Sequence, residues 1–170
     1  MSTASASNID VFLQPGEYFV GDERHVLRTL LGSCVSITLW HPARRIGVMS
    51  HFLLPTRGTS PAIGLDARYG DEAMQLMLEE LRRNKVHPPE CVAKIFGGAN
   101  MFPGQRQSDT VCVGRKNGAA ARALLRANGI NIASENLFGV GHRQIIFNVR
   151  TGDVWARQAR LADAAGLEQR

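Results

Sequence analysis

Two runs of β-forming, apolar-rich residues, Leu30–Trp40 and Ile46–Pro55, stand on either side of His41-Pro42-Ala43-Arg44-Arg45. Runs of this kind around a Pro-containing turn predict a β-hairpin. Centring the turn between Pro42 and Ala43 gives antiparallel partners whose numbers sum to 85: Trp40 with Arg45, Leu39 with Ile46, Cys34 with His51. Val35, Ile37 and Leu39 then share a core face with Ile46, Val48 and Ser50. Cys34, Ser36 and Thr38 share the smaller, more polar face with Gly47, Met49 and His51. Strand side chains alternate with period two, so a slip of one residue would send Cys34 and His51 to opposite faces.

The rest of the chain reads as short strands around two helices. Asp10–Phe12 and Gly16–Val20 are strand-like, Gly21–Arg24 is a turn, and His25–Leu31 leads into the hairpin. Thr56–Leu65, rich in Gly, Ser, Thr and Pro, predicts an exposed loop. Tyr69–Val86 carries apolar residues at helical spacing, with Asp71-Glu72 at its start and Arg82, Arg83 and Lys85 at its end. That charge order suits the helix dipole, and Pro88-Pro89 stops the helix. Strands are expected at Cys91–Phe96, Thr110–Val113, Ile130–Ala133, Gly141–Val149 and Val154–Arg157. A second helix is expected over Asn117–Ala127, closed by Asn128-Gly129. Strands outnumber helices and hairpins recur, which predicts an α+β class. A single domain is expected over 10–157, with a disordered tail over 1–9 and a possible short helix over 158–170.

The chain has 170 residues, 44% hydrophobic and 21% charged, enough for one proper core. No apolar run approaches the ~20 residues of a membrane span, so no membrane insertion is expected. Met1–Asn8 lacks a basic start and an apolar stretch, which argues against a signal peptide, and the cysteine usage fits a reducing cytoplasm. The net charge of +5 is almost all Arg, with Lys85, Lys94 and Lys116 the only lysines. The cations are scattered, without aromatic interleaving, which argues against nucleic acid. A positive surface suits an acidic partner.

The three cysteines, Cys34, Cys91 and Cys112, are odd in number and far apart, and no CxxC occurs. This argues against a disulfide framework or a zinc site. His25, His41, His87 and His142 lack spaced ligand partners, so no metal site is expected. Cys91 and Cys112 are assigned to the core. Gly97-Gly98-Ala99-Asn100 and Gly139-Val140-Gly141 match no full phosphate-binding motif and read as turns. Cys34 alone would be an ordinary buried thiol. Its opposition to His51, with Gly32-Ser33 just before it, points to a nucleophile and its base. Gly32 allows close backbone approach, and N–H groups near Ser33 and Cys34 suit an oxyanion hole. A protonated His51 would lower the thiol pKa. The pair has to lie where solvent and an acyl substrate can reach it. The group that orients the imidazole is left open among Thr29, a backbone carbonyl, Asn100, Asn117 and Asn136.

The stretches Leu31-Gly32-Ser33-Cys34-Val35, Gly47–Pro55, Lys94–Phe102, Val113–Asn117, Gly129–Ile132 and Arg143–Gly152 together resemble the CheD family of bacterial chemoreceptor glutamine deamidases. They run in family order from about Gly16 to Arg157. The resemblance implies an α/β sandwich-like fold related to cytotoxic-necrotizing-factor deamidases. It implies hydrolysis of specific Gln side chains to Glu in methyl-accepting chemotaxis receptors. Cys34 matches the family nucleophile, His51 the family histidine and Thr29 the upstream threonine, with backbone support from Gly32 and Ser33 and no cofactor. It implies a CheC-type phosphatase as a further partner, and the chain is expected to be a monomer. The alternative is a regulatory binding partner of a CheC-type phosphatase with little turnover.

Overall fold

A computed structural model describes residues 7–59, 63–104 and 109–159, residues 109–112 by backbone alone. In chain order the elements are β1 (Ile9–Phe12), β2 (Tyr18–Gly21), β3 (His25–Leu31), β4 (Val35–His41), β5 (Ile46–Ser50), α1 (Gly70–Arg83), a short 3-10 turn (Pro88–Glu90), β6 (Val92–Gly97), α2 (Asp109–Ala127), β7 (Asn131–Leu137), β8 (Arg143–Asn148) and β9 (Val154–Gln158). The strands form two sheets, one of order β1-β3-β8-β9 and one of order β2-β5-β4-β6-β7. The fold is a mixed α+β domain with two sheets.

The five-stranded sheet is covered on both sides. Both helices pack against it. Val35, Ile37, Leu39, Val48 and Phe52 join Ala73, Met74, Met77, Leu78 and Leu81 of α1 and Ala121 and Leu125 of α2 in one cluster. On the opposite side Met49 and Phe96 meet Leu27 and Leu31 of β3 and Ile145 and Phe147 of β8. Each fully buried aliphatic or Phe side chain contributes about 1.5–3 kcal/mol, so both interfaces hold the sheet in place. The first turn of α1 carries Asp71 and Glu72 and the last turn Arg82 and Arg83, favourable against the macrodipole.

Four expectations are corrected. The hairpin pairs Leu39 with Val48, Trp40 with Gly47 and His41 with Ile46, so partners sum to 87, not 85. The turn takes in Arg45, which adopts a left-handed φ of 48°, and Arg45 N–H donates to His41 O at 2.9 Å. A shift of two keeps every side chain on its expected face but moves each one pair along. Second, the first apolar run is not one strand. It breaks at Gly32-Ser33-Cys34, where the chain leaves β3 in one sheet and enters β4 in the other. Third, Thr110–Val113, expected as a strand, belongs to α2. Its Ala120, Ala121, Leu124 and Leu125 pattern extends N-terminally past Asn117, where periodicity is masked by Gly114 and Gly118. Fourth, β1 begins at Ile9 and β9 runs to Gln158, so structure reaches slightly beyond 10–157. The expected disorder and helix of the tails otherwise fall outside the described residues.

Candidate active site

The crossing from β3 to β4 brings Thr29, Cys34 and His51 to the space between the two sheets. Thr29 is a buried inward-facing residue of β3. His51 follows the last residue of β5 and is 1% exposed. Cys34, on the corner, is half-buried and packs against the inter-sheet cluster. The bridge from Val35 to Phe52 ends the β4–β5 pairing. Ser36 therefore stands across from His51, and Cys34 lies just past the bridge, two residues before Ser36 on the side facing the other sheet. Among the described residues no hydrogen bond joins Cys34 to His51, and His51 Nε2 has no partner. Cys34 as a residue is partly exposed. The imidazole, expected at the same surface, is enclosed.

One contact fixes the state of that imidazole. Thr29 Oγ1 donates to Leu13 O at 2.9 Å and lies 2.7 Å from His51 Nδ1. A hydroxyl has a single proton. With that proton on the Leu13 carbonyl, Thr29 accepts from His51, so Nδ1 carries the hydrogen. Nε2 is left with a bare lone pair. Of the groups left open by the sequence, Thr29 alone touches the ring. Asn100 caps its own turn, Oδ1 accepting from Phe102 N–H at 2.9 Å, and Asn136 offers its backbone carbonyl to Arg143.

Burial sets the charges. Desolvation lowers the His51 pKa to about 4, opposed by the negative charge of Glu17. Desolvation raises the Cys34 pKa, opposed by its own backbone N–H. The expected imidazolium–thiolate pair is therefore not the resting state: both groups are neutral at pH 7. The N–H groups of Ser33 and Cys34 donate to no backbone or side-chain oxygen among the described residues. Ser33 N–H is thus, among these residues, a donor without an acceptor, and Cys34 N–H is directed at its own sulfur.

The Cys34 corner rests on a support that the sequence presents only as a glycine turn. Gly98 N–H donates to Cys34 O at 2.9 Å and Ala99 N–H to Gly32 O at 3.0 Å. Gly97 has φ of 115°, and a Cβ there would lie 2.2 Å from Cys34 O. Only glycine fits. The buried guanidinium of Arg143 donates to the carbonyls of Gly97, Asn136 and Phe138, tying this support to β7 and β8. The signal in the sequence was the consecutive glycines at the end of a strand. Their partner, the Cys34 carbonyl, is invisible without the fold. Gly32 lies under the side chain of Met101. Cys91 is buried in the helix-side cluster, and the side chain of Cys112 lies outside the described residues. Among the described residues no group of three or more His, Cys, Asp or Glu could hold a metal ion, and no helix is long and apolar enough to cross a membrane.

The residues thus assemble a two-sheet α+β domain with a half-buried cysteine at a sheet crossing and, on the strand-end next to it, a buried histidine held by Thr29. Comparison with known proteins narrows the class. The family model described as CheD chemotactic sensory transduction matches residues 53–158. The protein named probable chemoreceptor glutamine deamidase CheD 2 of Albidiferax ferrireducens is 64% identical over 151 residues, covering 88% of this chain and 87% of that protein. Probable chemoreceptor glutamine deamidase CheD 3 of Dechloromonas aromatica is 45% identical and covers 96% of each. This chain belongs to the CheD family. Among solved structures, the Bacillus licheniformis hypothetical protein YfiH superimposes with a TM-score of 0.42 at 14% identity, covering 82% of this chain and 61% of that one.

Proposed function

We propose that this chain is a chemoreceptor glutamine deamidase, converting Gln side chains of methyl-accepting chemotaxis receptors to Glu. The relatives carry that name. The observation that carries the chemistry is the Thr29–His51 contact, which leaves Nε2 as the free base on the face of Cys34. As Cys34 sulfur bonds to the carboxamide carbon, its proton passes to His51 Nε2. The Ser33 and Cys34 N–H groups, on a backbone that Gly32 keeps open, stabilise the oxyanion. His51 returns the proton to the nitrogen, the C–N bond breaks and ammonia leaves. Water then attacks the thioester with His51 taking its proton. The C–S bond breaks, the proton returns to sulfur, and a Glu carboxylate remains. Thr29 keeps the ring in the required tautomer throughout. No cofactor takes part.

The +5 net charge favours encounter with acidic receptor helices. The kinship of the two-sheet fold to cytotoxic-necrotizing-factor deamidases, monomeric action in the cytoplasm and a CheC-type partner belong to the same reading. A second reading, a regulatory partner of a CheC-type phosphatase with little turnover, draws support from the uncharged resting pair. Mass spectrometry of a receptor cytoplasmic fragment separates the two. The deamidase reading requires wild type to introduce amide-to-acid exchanges at discrete glutamines with ammonia release, and Cys34→Ala to introduce none. Equal conversion by Cys34→Ala contradicts the mechanism. No conversion by wild type, with tight phosphatase binding, favours the second reading.

A further inference from the structure

Asn117 is completely buried in α2, and the chemistry above makes no use of it. Its Nδ2 donates to two backbone carbonyls from separate parts of the chain, Ser33 O at 3.0 Å and Leu53 O at 2.8 Å. Carbonyls only accept, so both amide hydrogens are committed and the orientation of the side chain is fixed by its partners. Ser33 is the residue before Cys34, and Leu53 is the second residue after His51. Among the described residues neither carbonyl receives a backbone N–H.

The position of this bond matters more than its strength. The β4–β5 pairing ends at the Val35–Phe52 bridge. Beyond it the two segments part: Cys34 O turns to Gly98 N–H, and Leu53 N–H turns to Arg68 O. Asn117 grips both segments at the point where the ladder stops holding them. Its Oδ1 is left buried without a partner, an arrangement that a residue kept only for helix packing would avoid.

We infer that Asn117 is a positioning residue, a carboxamide clamp that sets the spacing of the Cys34 sulfur and the His51 ring by holding the backbone on either side of them. The inference rests on the Cys34–His51 pair proposed above. A displacement of about 1 Å at reacting groups costs up to about 100-fold in rate, and loss of the clamp frees the two segments to separate.

The test is a double-mutant cycle on wild type, Asn117→Ala, His51→Ala and the double variant. It is read by iodoacetamide alkylation of Cys34, followed in its own peptide by mass spectrometry, and by kcat and KM for receptor-fragment deamidation. Asn117→Ala is expected to lower kcat about 10- to 100-fold with KM changed less than about twofold. It is also expected to abolish the effect of His51→Ala on the alkylation rate. Leu125→Ala, in the hydrocarbon stripe of the same helix, is the control: it lowers Tm and leaves the His51 dependence of alkylation intact. If Asn117→Ala does not fold, Asn117→Leu fills a similar volume, has no donor for either carbonyl, and is read in the same way. A His51 dependence that survives in the Asn117 variant overturns the inference. Wild type that shows the His51 dependence but no deamidation overturns the deamidase reading and leaves the clamp standing.

Discussion

On its helix side the five-stranded sheet presents Val35, Ile37, Leu39, Val48 and Phe52, all buried and apolar, together with buried Ser50, whose Oγ accepts from Ile37 N–H at 3.4 Å. On the side facing the other sheet the same strands present Ser36, Thr38 and, just past β5, His51. There Ser36 Oγ and His51 Nε2 are buried without partners. An unsatisfied buried polar group costs about 1–3 kcal/mol, so this face of the sheet carries a cost that the sheet's own helix-side residues do not; on that side the unsatisfied atom, Asn117 Oδ1, belongs to α2. The structure keeps that cost at the level of the Cys34 corner. One face secures the fold, and the other holds the unpartnered Nε2 of His51 that the proposed mechanism uses.

Substitutions on the two faces should therefore separate rate from stability. The largest effect is expected from His51→Gln, which removes the base: deamidation falls by about 10³-fold, measured as ammonia release, while urea unfolding at pH 7 shows a protein at least as stable. The same variant tests the electrostatics. The pKa of His51 is about 4 when folded and about 6.5 when unfolded. The unfolded chain thus binds more protons between these values, and folding weakens as pH falls from 6.5 towards 4, by roughly 3 kcal/mol in all. Below pH 4 this group adds no further loss. Urea midpoints across that range should drop less steeply in His51→Gln; parallel curves would show that the histidine is not held neutral.

Thr29→Val comes next. It keeps the shape and removes the acceptor for Nδ1–H, so kcat should fall about 100-fold with KM little changed in steady-state assays on a receptor fragment. Thr29→Ser should retain most of the activity. On the helix face Ile37→Ala should cost about 2–5 kcal/mol of stability in denaturant titration, with kcat changed less than about twofold at a temperature where the variant stays folded. Ser36→Ala is the smallest: deleting an unpartnered hydroxyl should leave stability unchanged or raise it by up to about 1 kcal/mol. A large loss of stability in Ser36→Ala would mean that its oxygen is satisfied and the contrast between faces is weaker than drawn.

Much of the helix-side face was legible because hydrocarbon periodicity encodes it. Val35, Ile37 and Leu39 against Val48 could be read from alternation, and the α1 stripe from its spacing. The face shared by Cys34 and His51 was legible for the same reason, since a register error of two preserves parity. What pairs with what was not. The turn closes on Arg45 in a left-handed conformation, which a residue with a Cβ does not advertise. The break at Gly32-Ser33-Cys34 was hidden because β3 and β4 have the same apolar composition and differ only in which sheet they join. Thr29 could be named as a candidate, but its bond to Leu13 O spans 16 residues and depends on β1 lying beside β3. Asn117 was weighed as an orienter of the ring. It instead holds backbone carbonyls, a role defined entirely by tertiary placement.

The central claim is that His51 rests as a neutral imidazole protonated on Nδ1, with Nε2 the free base beside a neutral Cys34 thiol. Long-range proton–nitrogen NMR of imidazole-labelled protein reads this state directly. The account predicts that at pH 7 His51 shows a protonated Nδ1 and a bare Nε2, titrates with a midpoint near 4, and loses the single tautomer in Thr29→Val. A His51 signal that is doubly protonated at pH 7, or that carries its hydrogen on Nε2, would contradict it.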